Sequence, residues 1–97
     1  MITHVWGMKF TDDATEVAKQ EFVHAMNNLP EEIQGVSSFK AGTDLGLNEG
    51  NSDVTIVAEF ADEEAWKNYI QHPVHVAFVE THVTPICKSW NAIQFEA

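Results

Sequence analysis

The sequence predicts an α+β fold of the ferredoxin-like type, with the element order β-α-β-β-α-β. Three observations predict it: apolar residues that alternate in several short segments, apolar residues at helical spacing in two longer ones, and a polar loop at residues 44–52. In this fold the helices cover one face of a four-stranded antiparallel sheet. The 97 residues are expected to form a single domain over 1–97, because two hydrophobic cores need a longer chain.

The first half of the chain is predicted to contain a strand, a helix and a second extended segment. Side chains alternate from Ile2 to Phe10 as in a half-buried strand. Asp12 and Asp13 are N-cap candidates for a helix in which apolar residues recur at helical spacing up to Pro30. A second extended segment is expected from Gly35 to Ala41.

The second half follows the same order, but its helix is interrupted. Alternation from Val54 to Phe60 predicts the third strand, and Asp62 is placed to cap the helix that follows. The pair His72-Pro73 breaks that helix, and a new one is expected to start at Pro73 and to run to about Lys88. The last strand is expected from Ser89 to Glu96. The apolar stripe of the restarted helix is predicted to comprise Val76, Val79, Val83 and Ile86.

Both faces of the predicted sheet carry bulky side chains. On the first strand Trp6 and Phe10 share one face, whereas Val5 lies on the other. Helices on one face leave the opposite face without cover, and a second sheet can supply it. The sequence therefore predicts a homodimer packed sheet to sheet.

The charge balance excludes several classes of partner. The chain has 15 acidic residues against 5 Lys and no Arg, for a formal net charge of −10. Nucleic acids and anionic membranes are disfavoured, because both are bound through clustered Lys and Arg. We also expect neither a membrane span nor a secretory leader, and the single Cys87 can form no internal disulfide. These features predict a cytoplasmic protein.

The segment from Tyr69 to Val79, YIQHPVHVAFV, resembles the stress-responsive dimeric α/β-barrel (Dabb) family. The opening Ile2-Thr3-His4 and the closing Ile93-Gln94-Phe95-Glu96 extend the likeness over essentially the whole chain. The resemblance implies two ferredoxin-like chains paired sheet to sheet as a closed barrel. Most members of this family have no assigned activity, so the resemblance by itself implies a fold more strongly than a reaction.

One plant branch of the family acts as a polyketide cyclase, through an intramolecular aldol condensation that uses a Tyr and a His matching Tyr69 and His75 here. By this resemblance His75 is the candidate general base and Tyr69 the candidate donor to an enolate oxygen, roles that suit an imidazole and a phenol. Val54 stands on the third strand, where the plant enzymes carry another polar ring. The residues predicted to contact a small apolar or aromatic ligand are His4, His72, Trp66 and Phe78.

A second interpretation remains open at this point. His4 lies on an apolar strand face and needs a hydrogen-bond partner there, so it belongs either to a pocket or to the structure. Tyr69, His72 and His75 can simply close the helix break, which would leave a non-catalytic stress-related or scaffold dimer. Cys87, placed late in the second helix, is expected to pack and not to act as a nucleophile. Aromatic residues expected in the core or an interface, although able to line a cavity, are Trp6, Trp66 and Trp90.

No cofactor and no metal site are predicted. His72 and His75 are three residues apart and His82 lies two turns further on, but no third ligand completes a known motif. The polar loop carries oxygen ligands suited to a hard cation, yet a solvated turn is the expected state. Those loop residues are Asp44, Asn48 and Glu49.

Overall fold

The computed structural model describes residues 1–96, and its element order is the one predicted. The sheet order is β2-β3-β1-β4, and every neighbouring pair is antiparallel. A π-helical turn and a 3-10 turn link the last α-helix to the last strand. The bounds are β1 Ile2–Phe10, α1 Glu16–Glu32, β2 Ser38–Thr43, β3 Val54–Phe60, α2 Glu63–Gln71, α3 Pro73–Phe78, the π turn Val79–Val83, the 3-10 turn Thr84–Ile86, and β4 Cys87–Glu96.

The inner face of the sheet lies against the helices and holds the hydrophobic core. On α1 the buried residues Phe22, Met26 and Leu29 are spaced so that all three point to one side of the helix. The Phe22 ring lies 5.5 Å from that of Phe10 and 5.3 Å from that of Phe78. The strand residues buried beneath them are Ile2, Met8, Val54, Ile56, Ala58 and Phe60.

The outer face of the sheet keeps apolar residues in solvent. In the strand register Val5 lies opposite both Val57 and Ile93, and Thr3 lies opposite Phe95. Ile93 is 58% exposed and Phe95 46%. We call Val5, Val57, Ile93 and Phe95 the outer patch. The prediction of a sheet with apolar residues on both faces is therefore confirmed.

The predicted start and end of α1 are both wrong. Thr15, and not Asp12 or Asp13, is the N-cap, because its Oγ1 accepts the Ala18 N–H at 3.1 Å. The Ala14 N–H donates to the Thr11 carbonyl at 3.2 Å. Residues 11–14 therefore form a turn before the chain enters the helix.

At its other end α1 continues past Pro30 and finishes at Glu32. The Ile33 N–H closes the helix by donating to the Leu29 carbonyl at 3.2 Å. The following segment also differs from the prediction. Gly35 has a φ of 91° and belongs to a turn, so β2 begins only at Ser38.

The predicted helix from Pro73 to Lys88 is wrong beyond Phe78. The Thr84 N–H donates to the Val79 carbonyl, an i to i−5 bond that defines a π turn. Pro85 follows, and it has no N–H with which to continue the α-helical ladder. The start of the second helix, in contrast, is confirmed: the Asp62 carboxylate accepts the Ala65 N–H at 2.9 Å.

Two consequences follow from this early helix end. Cys87 and Lys88 belong to β4, so the last strand begins two residues earlier than predicted. Of the predicted apolar stripe, Val76 is exposed, whereas Val83 is buried.

Within residues 1–96, no helix has the length and apolar content needed to cross a membrane.

Candidate functional site

A break between α2 and α3 brings the side chains of Tyr69 and His75 together. His72 has φ −62° and ψ 137°, the extended geometry favoured by a residue that precedes proline. Its N–H donates to the Tyr69 carbonyl at 3.2 Å and ends α2. The chain restarts at once in α3, where His75 occupies the first turn. As a result the ring centroids of Tyr69 and His75 are only 4.7 Å apart.

His72 itself lies outside the cavity described below. Its Nδ1 accepts the Val74 N–H at 3.1 Å, so the imidazole caps the short helix α3. The interpretation that histidines close the helix break therefore applies to His72. It does not describe His75, whose ring faces Tyr69.

Tyr69 and His75 line a cavity of about 810 Å³ between the inner sheet face and the helical part of the chain formed by α2, α3 and the π turn. A volume of roughly 300–1,000 Å³ is typical of sites for small molecules. Most of the lining is apolar or aromatic. The predicted site residues that line this cavity are His4, Trp66, Tyr69, His75 and Phe78.

All three tryptophans also line the cavity. Trp90 is 64% exposed, so of the two expected places, the core or an interface, it does not lie in the core of this chain. Trp90 lies on β4, an edge strand whose residues from Lys88 onward are exposed. Trp6 and Trp66 are partly buried and pack at the margin of the core.

His4 lies on the inner face of β1 and is 5% exposed. The strand register sets it opposite Ala58 on one side and Gln94 on the other. Its Nδ1 lies 2.9 Å from Gln94 Nε2 and 3.4 Å from Trp66 Nε1. The predicted need of this ring for a hydrogen-bond partner is met by two side chains.

Burial changes the pKa values of the polar rings in the cavity. The pKa of His4 is lowered first by desolvation and then by the nearby His75. The pKa of His75 is also lowered by desolvation, which outweighs a hydrogen bond to the Ile70 backbone. Burial raises the pKa of the Tyr69 hydroxyl. At neutral pH the site therefore presents two neutral imidazoles and a neutral phenol.

The cavity lining also includes residues from the start of β4. Cys87 and Lys88 belong to it, and burial raises the pKa of the Cys87 thiol, which disfavours the nucleophilic thiolate. Although the chain carries a net charge of −10, none of the carboxylates among residues 1–96 lines the cavity. Lys88 is the one lysine that these residues contribute to the lining.

The histidines and the polar loop do not assemble a metal centre in the described part of the chain. Among residues 1–96, no three His, Cys, Asp or Glu side chains lie close enough to hold a metal ion. The His82 ring lies 6.1 Å from that of Phe78, in a separate groove beside α1. In the loop, Asp44 accepts the Gly46 N–H at 3.0 Å and the Asn51 amide at 3.2 Å, bonds that organise the turn.

Sequence reasoning missed Gln94 as a member of the site. This residue sits in a terminal strand that carries no motif, and only the register of β4 against β1 sets it beside His4. Lys88 was missed for a related reason, because the predicted helix extended over it. The helix break that brings Tyr69 and His75 together is, by contrast, visible in the sequence as the pair His72-Pro73.

Comparison with known proteins agrees with this architecture. Residues 2–97 match the family model of the Stress Responsive A/B Barrel Domain. Over 83 residues the chain is 30% identical to olivetolic acid cyclase of Cannabis sativa, spanning 84% of this chain and 82% of that protein. Over 79 residues it is 29% identical to the stress-response A/B barrel domain-containing protein HS1 of Arabidopsis thaliana, spanning 79% and 72% respectively.

The chain is also similar to a solved structure, that of a dimeric ferredoxin-like protein of unknown function from Thermobifida fusca. The two are 29% identical and superpose with a TM-score of 0.90, covering 99% of this chain and 90% of the other. The predicted ferredoxin-like fold is thus confirmed. Together with the match over residues 2–97, this establishes that the chain belongs to the stress-responsive A/B barrel domain family.

Proposed function

We propose that the protein binds a small aromatic or polyketide-like carbonyl compound in the cavity, with Tyr69 and His75 against the carbonyl group. The observation that carries this proposal is the 4.7 Å approach of these two polar rings in the wall of a mainly apolar cavity of about 810 Å³. Sites for small molecules combine an apolar lining with a few converging polar groups in this way.

His75 suits the role of general base. Its lowered pKa leaves the imidazole unprotonated at neutral pH, and the bond to the Ile70 backbone occupies one ring nitrogen. The other nitrogen is then available to take a proton from a carbon next to a carbonyl group. The electron pair of that C–H bond moves onto the carbonyl oxygen and forms an enolate, to which the Tyr69 hydroxyl donates a hydrogen bond.

An intramolecular aldol reaction would complete the cycle without a cofactor. The enolate carbon attacks a second carbonyl of the same molecule and forms a carbon–carbon bond. The resulting alkoxide recovers the proton held by His75. The 30% identity with olivetolic acid cyclase makes a ring closure of this kind the first reaction to test.

The lining supports a ligand that is neutral or develops negative charge. No carboxylate of residues 1–96 lines the cavity, and Lys88 is part of its lining. An enolate or an acidic product is therefore not repelled by its immediate surroundings, in spite of the acidic surface.

We propose, in addition, that the protein is a homodimer in which the outer patches of two chains face each other. Exposed apolar residues on the outer sheet face support this arrangement, as do similar structures described as dimeric. Repulsion between chains of charge −10 is screened beyond ~10 Å at 0.1 M salt, whereas apolar burial acts at the contact itself.

The His75→Ala variant tests the proposed site. The three cavity tryptophans report binding directly, so the measurement is quenching of their fluorescence by aromatic carbonyl probes, including olivetolic acid. We expect saturable quenching in the wild type and at least about 10-fold weaker binding in His75→Ala, with little change in melting temperature. A 10-fold change corresponds to about 1.4 kcal/mol of binding free energy. His24→Ala, an exposed change on α1, should leave the affinity unaltered.

Two outcomes would favour the alternative of a non-catalytic scaffold dimer. One is unchanged affinity in His75→Ala, and the other is a large loss of stability, which would mark His75 as a structural core residue. If ring closure is observed, Tyr69→Phe should reduce its rate and His75→Ala should abolish it.

A further inference from the structure

We propose that Trp66 and Gln94 hold His4 in a single tautomer, with its proton on Nε2, and that His4 therefore acts as a hydrogen-bond donor to the ligand carbonyl. Trp66 and Gln94 are positioning residues in this arrangement, because they act through His4. The donor role rests on the proposed function, whereas the tautomer can be measured without any ligand.

Trp66 determines which nitrogen of His4 is unprotonated. An indole N–H can only donate a hydrogen bond. Trp66 Nε1 lies 3.4 Å from His4 Nδ1 and reaches it from α2. His4 Nδ1 must therefore accept, which means that it carries no proton.

Gln94 adds a second donor to the same nitrogen. Its side-chain amide can present either its oxygen or its NH₂ group, and the two orientations are chosen by their surroundings. Because Nδ1 already accepts from Trp66, the amide presents its nitrogen, which lies 2.9 Å from Nδ1. Two side chains from different elements, α2 and β4, thus impose the same tautomer on His4.

A neutral imidazole whose Nδ1 is an acceptor carries its proton on Nε2. Protonation of Nδ1 would set its hydrogen against two N–H donors, so the imidazolium is disfavoured by geometry. Desolvation and the nearby His75 lower the pKa of His4 in the same direction. Among the hydrogen bonds of residues 1–96 none involves His4 Nε2, which leaves its N–H available to a ligand.

The two imidazoles in the cavity wall then have different roles. His75 is free to accept a proton, whereas His4 offers the ligand only a hydrogen-bond donor, because its Nδ1 already accepts from Trp66 and Gln94. His4 and Tyr69, whose ring centroids are 6.2 Å apart, supply two neutral donors for one carbonyl oxygen. Donors oriented before the reaction stabilise a developing enolate more effectively than water, which must reorganise.

The tautomer of His4 is measured by nitrogen-15 NMR of the histidine rings in the ligand-free, full-length protein. The His4 signals are assigned by their absence in His4→Asn. We expect a protonated Nε2 and an unprotonated Nδ1 at neutral pH. A protonated Nδ1, or an imidazolium, in the wild type would overturn the proposal, and this result does not depend on the folding of any further variant.

Gln94→Glu provides the sharpest change. A carboxylate accepts hydrogen bonds, so it should draw a proton onto His4 Nδ1 and give the opposite tautomer or the imidazolium. Gln94→Met removes one donor but leaves Trp66, and the wild-type tautomer should persist. Gln20→Glu, on the exposed side of α1, adds the same charge and should not affect His4. Unchanged His4 signals in a folded Gln94→Glu would contradict the role of Gln94.

Binding of aromatic ketone probes separates the two proposals. Where Gln94→Glu gives the opposite tautomer, it should weaken binding about 10-fold, because His4 Nε2 then carries no proton to donate. Gln94→Met keeps the Nε2–H donor and should weaken binding less. Equal binding by all three proteins, with the tautomers as expected, would refute the donor role of His4. If His75→Ala also binds normally, the proposed function itself fails while the tautomer assignment stands.

Discussion

The two faces of the sheet are built from the same strands but meet different surroundings. The inner face is covered by helices and contains the buried rings and the cavity wall, including His4. The outer face exposes Ile93 and Phe95 to solvent. Alternation along β1 alone does not distinguish them, since Val5 and Trp6 are both large, apolar and half-buried.

The difference shows where a functional site can arise in this fold. Under α1 the inner face is closely packed, and Phe22, Met26 and Leu29 are almost completely buried. Towards β4 this packing gives way to the cavity, whose lining includes Trp90, a side chain that is 64% exposed. The site therefore occupies the part of the inner face that the helices cover incompletely, and the outer face is the one through which we propose that two chains associate.

The largest effect is expected from Phe22→Ala, in the packed part of the inner face. Phe22 is fully buried against the rings of Trp6, Phe10 and Phe78. Truncation of a buried Phe typically costs about 3–5 kcal/mol of unfolding free energy, from lost burial and from the cavity left behind. Urea denaturation at a fixed protein concentration measures it.

Val17→Ala is the matched control on the same helix. Val17 is 65% exposed, so its truncation should change the unfolding free energy by no more than about 0.5 kcal/mol. A comparable loss of unfolding free energy in Val17→Ala and Phe22→Ala would mean that the solvent-facing side of α1 is covered in solution.

An intermediate effect is expected from Ile93→Asp in the outer patch. A carboxylate at the centre of an apolar contact is desolvated without a partner, so the dimer dissociation constant should rise by at least about 100-fold. Sedimentation velocity over a range of concentrations measures the change. Asn27→Asp adds the same charge on exposed α1 and should leave association intact. A wild-type protein that sediments as a monomer at micromolar concentration would rule out the sheet-to-sheet dimer.

The smallest effect is a pH dependence that belongs to the inner face. His4 and His75 have folded-state pKa values below the unfolded value of about 6.5. At a pH between the folded and the unfolded pKa values, the unfolded chain binds more protons than the folded protein. The contribution of the two imidazoles to the unfolding free energy is therefore complete above about pH 6.5 and is lost as the pH falls towards the folded pKa values.

This dependence is measured as the slope of unfolding free energy against pH just below 6.5. His75→Ala should flatten the slope, whereas His24→Ala on exposed α1 should retain it. An identical slope in the wild type and His75→Ala would mean that His75 titrates in the folded protein as it does in the unfolded chain.

Much of the fold follows from local patterns. The alternation of β1 and β3, the helical spacing on α1 and the Asp62 cap all depend on residues close together in the chain. Errors arose where a short turn or a missing donor decides a boundary. The turn at residues 11–14 moves the N-cap of α1 from the predicted Asp12 or Asp13 to Thr15. After Phe78 the chain changes from α-helix to a π turn before Pro85.

The sequence by itself determined the element order, the family and the break at His72-Pro73 that sets Tyr69 beside His75, because these depend on periodicity and on the restricted backbone near proline. Only the tertiary structure decided the cavity and the partners of His4. Gln94 lies 90 residues from His4 in the chain, yet its amide is 2.9 Å from the imidazole. That contact is created by the pairing of the first and last strands, a non-local register that no local pattern in either strand encodes.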